Sequence, residues 1–259
     1  MTTTVDLAHG LHLPVAHVPI TRPFVWLHRG WEDLSHNPAA SLAYGVLVSA
    51  LGAVMLGLWR HPFFIAASIS GFLLVGPLLT TGLCELSRLR ASGEGADFET
   101  SLSALTRNRE SLLRFAAGLL IISLAWFALS TAMLSLALGS AVPSVHGSMW
   151  GEAIKQLTGA QAISYLVIGG ILACVVFARS VVSVPLIIDR NESAATATRT
   201  SLRVTLTDLP AMVVWAALIA LLVGFGFATF LIGMVVVFPL LGHATWHAYA
   251  DLVRTERRP

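Results

Sequence analysis

The sequence predicts an all-α, polytopic membrane protein: six transmembrane helices arranged as three helical hairpins, each preceded by a short interfacial helix. Three observations predict it. Apolar residues make up 56% of the 259-residue chain and charged residues only 12%, whereas a soluble domain carries about 25% charge and needs it to cover its surface. Mean hydropathy is +0.77. Finally, five stretches free of Asp, Glu, Lys and Arg are long enough to cross the hydrocarbon layer, which takes about 20 apolar residues.

Taken in order, residues 1–21 are a polar tail containing His9, His12 and His17. No apolar run of the kind a cleaved signal needs precedes residue 37, so the start is expected to be retained. Phe24, Trp26, Leu27, Trp31 and Leu34, set among Arg22, Arg29, Glu32 and Asp33, read as a short helix lying in the interface. Residues 39–59 and 61–84 form a first hairpin, since the Arg60-His61-Pro62 break leaves room only for a turn. Residues 115–138 cross once, a loop runs through Pro143, His146 and Gly151, and 156–188 cross back with a single charge, Arg179. Residues 209–250 carry no charge and, at about 1.5 Å per residue, are twice as long as one crossing. A turn is therefore expected at Gly224-Phe225-Gly226. Residues 22–255 make one membrane domain, and 256–259 are a tail.

Of the 16 Lys and Arg residues, only Arg60 and Lys155 fall on one side of this arrangement. The excess of positive charge marks the other side as cytoplasmic, so both termini and the 85–114 and 189–208 loops are placed in the cytoplasm, with the chain in a bacterial inner membrane. Trp59, Trp126, Trp150, Trp215 and Trp246 read as interfacial belt residues. Ser41 with Gly45, and Gly52 with Gly57, read as helix contacts. Cys84 and Cys174 lie in apolar stretches and read as buried thiols. A net charge of +2 without a basic run provides no surface for nucleic acid. The absence of a strand followed by a glycine-rich phosphate loop leaves no nucleotide site.

An internal repeat emerges on aligning Gly76-Pro77-Leu78, Val184-Pro185-Leu186 and Phe238-Pro239-Leu240. Thr100-Ser101-Leu102 leading to Asn108 echoes Thr200-Ser201-Leu202 leading to Asp208, with Asp33-Leu34 and Asn37 before the first hairpin. Units of about 22–90, 97–190 and 197–255 follow, each unable to bury its polar faces alone. Pro77, Pro185 and Pro239 are expected to kink their helices, because each removes a backbone hydrogen bond. Four residues beyond them stand Thr81, Asp189 and His243, and eight beyond stand Glu85, Ser193 and His247, positions that share a helix face. Packed around a common axis, Glu85, Asp189, His243 and His247 would form a set suited to a divalent metal or a proton relay. As ordinary helix-end residues they would instead meet water and headgroups, the histidines favoured by the negative end of their helix dipole. The pair His243 and His247 lacks the Glu that a zinc protease carries after its first His, and lying one turn apart on one helix it is a poor haem cradle. Nothing in the sequence places Ser, His and Asp as a triad. Arg179, the one charge inside a crossing, is a candidate contact for an anion or lipid phosphate, or a side chain that reaches back to the headgroups.

Gly30-Trp31-x-Asp33-Leu34 with Tyr44-Gly45, Gly76-Pro77-Leu78 to Glu85-Leu86-Ser87-Arg88, Ser183-Val184-Pro185-Leu186 to Asp189-Arg190, and Pro239-Leu240-Leu241-Gly242-His243-Ala244-Thr245-Trp246-His247-Ala248-Tyr249 together resemble the bacterial integral membrane proteins grouped as domain of unknown function 2189. The resemblance spans roughly residues 20–255. It implies a multi-span inner-membrane protein, in a family sometimes labelled cytochrome c oxidase subunit I-like, and the few His residues argue against reading that label literally. The expectation is a non-catalytic accessory or scaffold protein in the lipid bilayer, packed against other membrane-protein subunits and associated with a respiratory complex, with no cofactor. The alternatives are a small-solute or ion permease, and a metal- or haem-binding redox protein using His243 and His247.

Overall fold

The computed structural model of the chain describes residues 13–57, 64–138 and 158–253. They are helical almost throughout: α1 (Arg22–His36), α2 (Pro38–Gly57), α3 (Phe64–Ser92), α4 (Phe98–Leu102), α5 (Ala104–Arg107), α6 (Arg109–Leu138), α7 (Gly159–Ser180), α8 (Ser183–Arg190), α9 (Ala194–Thr207), α10 (Leu209–Ala228) and α11 (Met234–Leu252). Among the described residues four stretches are long and apolar enough to cross a membrane: Pro38–Met55, Arg109–Met133, Gly159–Arg190 and Leu209–Ala228. The crossings expected over 61–84, in α3, and in the second half of 209–250, in α11, are not among them. In α11 the reason is plain. Its second half carries His243, Thr245, His247 and Asp251, which thins its apolarity.

That helix is instead the centre of the structure, packed by α1, α2, α3 and α10. Val237, Phe238, Leu241, His243, Ala244, Trp246, Tyr249 and Leu252 are all buried along it. Small residues let the neighbours approach closely. A Cβ on Gly45 of α2 would stand 2.0 Å from the Val235 carbonyl oxygen, and one on Gly30 of α1 would stand 2.8 Å from the Ala244 nitrogen. The predicted contacts at Gly45 and Gly52 are thus present, the latter against Leu231. On α1 the buried residues Pro23, Trp26, Gly30 and Leu34 repeat at helical spacing and form the stripe that meets α11. The helix read as interfacial is thereby half sunk into the bundle, with Trp26 fully buried and Phe24 and Trp31 exposed.

Three junctions share one backbone conformation. Where a short helix meets the next long one, Asn37 has φ −131 ψ 67, Asn108 has φ −133 ψ 57 and Asp208 has φ −121 ψ 47. Each side chain then holds a neighbouring segment: Asn37 Nδ2 donates to the Ala96 carbonyl just beyond α3, and Asn108 Nδ2 donates to the Glu192 carbonyl just beyond α8 at 2.9 Å. Beside Asp208 the N-terminal segment takes that place. His17 Nδ1 lies 3.0 Å from its carboxylate and the Val18 amide donates to it at 3.3 Å. Val15 and Val253 form an isolated antiparallel bridge, so the two ends of the described chain lie side by side.

Several expectations need correction. The last turn falls at 229–233, not at Gly224-Phe225-Gly226, and it is made by Phe230 (φ 51) and Leu231 (φ 69) in the left-handed region. Gly226 stays helical, and its lack of a Cβ makes room for Met234, whose sulfur would lie 2.3 Å from one. Pro77 and Pro239 sit inside helices, but Pro185 lies in the first turn of α8, after a break at Val181–Val182; no intrahelical bond is lost there. Trp126, Trp215 and Trp246 are buried, so they are packing residues and not a belt; Trp215 meets Trp26 edge to face at 5.7 Å. Cys84 is buried but Cys174 is exposed. Trp59, Trp150, the Arg60-His61-Pro62 break and the loop through Pro143 and His146 lie outside the described residues.

Candidate functional site

At the arginine-rich end of the bundle, α1, α2, α3 and α11 bring a chain of polar side chains together. Ser41 Oγ donates to the Asn37 carbonyl at 2.7 Å and lies 2.8 Å from His243 Nε2. His243 Nδ1 lies 2.8 Å from Ser87 Oγ, which donates to Asp33 Oδ2 at 2.5 Å. Asp33 also accepts from His247 Nε2 at 2.9 Å and from Arg90. Ser41, Ser87, Asp33 and His243 are all buried. A polar cavity of about 310 Å³, lined by His36, Asn37, Arg90 and Glu94 among others, reaches from the surface to Asp33 and His243.

Hydrogen counting shows what this chain can do. Its four links run from a carbonyl, through Ser41, His243 and Ser87, to a carboxylate. Both ends accept only, so every link filled requires four hydrogens, while two hydroxyls and a neutral imidazole supply three. One further proton, on the imidazole or on Asp33, completes the chain. Burial works to raise the Asp33 pKa, but the hydrogen bonds from His247 and Ser87 and the nearby imidazoles outweigh it and hold the carboxyl below its usual range. Ser, His and Asp thus do converge, which the sequence did not indicate. The order is not that of a nucleophilic triad, because Ser87 stands between imidazole and carboxylate and the Ser41 proton is held by backbone.

The four residues counted from the prolines do not share one centre. His243 and His247 join the Asp33 chain. Glu85 is clamped by Arg88 at 2.8 Å and by Arg107 at 2.6 Å, and Arg107 also reaches the Ile188 carbonyl at 3.4 Å. Desolvation would raise the Glu85 pKa, and the two guanidinium groups overcome it and lower it. Asp189 accepts from the Tyr249 hydroxyl at 2.6 Å. Among the described residues no three His, Cys, Asp or Glu side chains stand together as a metal would need. Thr81 is buried with its hydroxyl unpartnered. Arg179 lies in the last turn of α7, facing Gly118 of α6 across a separate cavity.

One further ion-pair centre ties α1 to the end of α11. Asp251 accepts from Arg22 at 2.6 Å and from the Trp26 indole at 2.8 Å, with Arg29 at 3.6 Å. Asp33, Ser41, Ser87, Arg90, Arg107 and Asp251 were not among the predicted site residues. Their signal was present only as polar residues at the ends of apolar stretches, since their partners come from other helices.

A comparison with known families finds a likeness. The model of a family described as predicted integral membrane protein (DUF2189) matches residues 64–189. Over that stretch the chain is similar to the DUF2189 proteins. The match covers α3 to α8 and stops before α11, so the Pro239 to Tyr249 motif, read from the sequence as the most specific, lies outside it. Neither a curated protein nor a solved structure matches the chain. Within the DUF2189 match lie Glu85, Arg107, Asp189 and Arg179; Asp33, His243 and His247 are contributed from either side of it.

Proposed function

We propose that this protein is a non-catalytic accessory or scaffold subunit of a bacterial inner membrane, with six crossings as three hairpins and both termini in the cytoplasm. The observation that carries the reading is where its buried charge goes. Glu85 ties α3 to α5, Asp33 ties α1 to α3, Asp251 ties α11 to α1, and Asp208 holds the segment before α1, which fits polar groups that hold a frame. Support for the two additional crossings comes from α2. Gly45 and Gly52 face Val235 and Leu231, Ser41 faces His243, and Gly82 of α3 faces Tyr44, so α3 and α11 accompany a membrane-length helix along its course. The recurrence of a short helix followed by long ones, with the shared junction geometry, supports the three-unit organisation.

The test is native electrophoresis of membranes extracted in mild detergent at natural abundance, beside a topology assay with reporters fused after residues 138 and 253. The scaffold reading expects the chain in an assembly larger than itself, both reporters behaving as their sides require. Migration alone, with the assembly of neighbouring membrane proteins unchanged on its deletion, would sink it.

A second reading, a proton or small-solute permease, is favoured by one observation: the polar cavity that reaches the hydrogen-deficient chain at His243. Its test is dissipation of a pH gradient in proteoliposomes. A flux abolished by His243→Ala would replace the scaffold reading, whereas equal leakage with and without protein would remove the permease.

A further inference from the structure

Between α6, α7 and α9 lies a cavity of about 440 Å³ lined by Arg114, Arg179 and Arg199 together with Ser193, Thr198 and Leu202. Among the described residues neither Arg179 nor Arg199 has a carboxylate within ion-pair distance, and Arg114 has only the exposed Glu110 at 2.5 Å. Three guanidinium groups converge there with a single acidic neighbour. The 14-residue α9 starts at the same cavity, with Ala194 and Ala195 in the lining and Ser193 accepting from the Thr196 amide at 3.1 Å. A helix start directs free N–H groups and the positive end of its dipole at whatever sits before it. Gly118 of α6 forms the opposite wall, with Arg179 Nη2 beside it.

Depth and surroundings narrow the ligand. Arg114 lies just inside the apolar stretch Arg109–Met133, and Arg179 lies toward the end of Gly159–Arg190, which sets the cavity at headgroup level. Deeper along the same helix stripes stand exposed apolar residues. Ile121 follows Arg114 on α6 and is 68% exposed, while Val175 and Ile171 precede Arg179 on α7 at 44% and 61%. We propose that this cavity binds a phosphate-bearing anion, the headgroup of an anionic phospholipid whose acyl chains lie along Ile121, Val175 and Ile171. The guanidinium forks match phosphate oxygens in pairs, and the apolar stripes carry what a free phosphate lacks.

The test titrates detergent-purified full chain with short-chain phosphatidylglycerol, phosphatidylcholine or inorganic phosphate, reading bound phosphorus per chain. Phosphatidylglycerol should bind most tightly. Arg179→Gln with Arg199→Gln should weaken it by about tenfold per arginine, each charge-assisted contact contributing on that scale, while Arg109→Gln, away from the cavity, leaves it unchanged. Inorganic phosphate binding equally well with the same arginine dependence supports the anion site and assigns its source to a soluble phosphate. Arg179→Lys covers a glutamine variant that does not fold, since it keeps the charge and should bind several-fold more weakly through loss of the fork. Equal binding of phosphatidylglycerol by wild type and folded arginine variants, or no binding of either probe, overturns the proposal.

Discussion

Glu85 and Asp33 are two buried carboxylates at the same end of the bundle, 0% and 6% exposed, and they are satisfied in opposite ways. Glu85 is met by two guanidinium groups whose charge does not vary with pH. Asp33 has one guanidinium, and its other donors are a hydroxyl and an imidazole, groups whose hydrogens can be rearranged. The first site is therefore a fixed clamp between α3 and α5, and the second is a network whose hydrogen bonds can be reordered. Burial alone does not distinguish them; the chemistry of the donors does.

The largest effect should come from breaking the clamp. Glu85→Ala leaves Arg88 and Arg107 facing a buried gap, and removing one partner of a buried ion pair costs roughly 3–5 kcal/mol. Because these arginines are 22% and 34% exposed and can turn to water, the lower end is expected in thermal unfolding monitored by tryptophan fluorescence. Asp33→Asn should cost less, about 1–3 kcal/mol, the range for a buried hydrogen-bonding group left badly matched. A larger loss for Asp33→Asn than for Glu85→Ala would invert the comparison.

Acid sharpens it further. The folded pKa values of Asp33, Glu85 and Asp251 are all held below the ordinary carboxylate range, in each case by hydrogen bonds and charges that outweigh burial. Their stabilisation is therefore complete above about pH 4 and is lost as pH falls through the lowered folded values. A melting-temperature series from neutral to acid should show that decline, and Asp33→Asn should make it shallower by one carboxylate. A decline that starts on the alkaline side would show the sign to be wrong. Ring-nitrogen NMR on the His residues should show one fixed arrangement of hydrogens on His243 between Ser41 and Ser87, and Ser87→Ala should release it. At the bottom of the scale, His28→Ala removes an exposed contact with Glu32 at 3.4 Å and should leave the melting temperature unchanged, as surface pairs of this kind contribute little.

The membrane character and helical class were legible because the hydrocarbon layer imposes length and apolarity on every crossing, and α2, α6, α7 with α8, and α10 carry both. Less legible was α11, whose histidines serve the interior of the bundle. Counting from the prolines found His243, His247 and Glu85, which are buried or paired polar residues, yet it grouped them by one helix's periodicity. Their partners Ser41, Ser87, Asp33 and Arg107 come from four different helices, and no spacing within one segment encodes such a meeting. Tryptophan misled for a related reason: the same residue type serves a headgroup belt or a packed interior, and Trp26 against Trp215 takes the second course.

The bridge between Val15 and Val253 has a consequence for how the protein is made. Synthesis proceeds from the N-terminus, so the segment holding His17 and Val18 emerges long before the strand and carboxylate it will rest on. Trp26 likewise waits for Asp251. These early segments are thus among the last to settle, and this part of the fold is sealed only after α11 has taken its place.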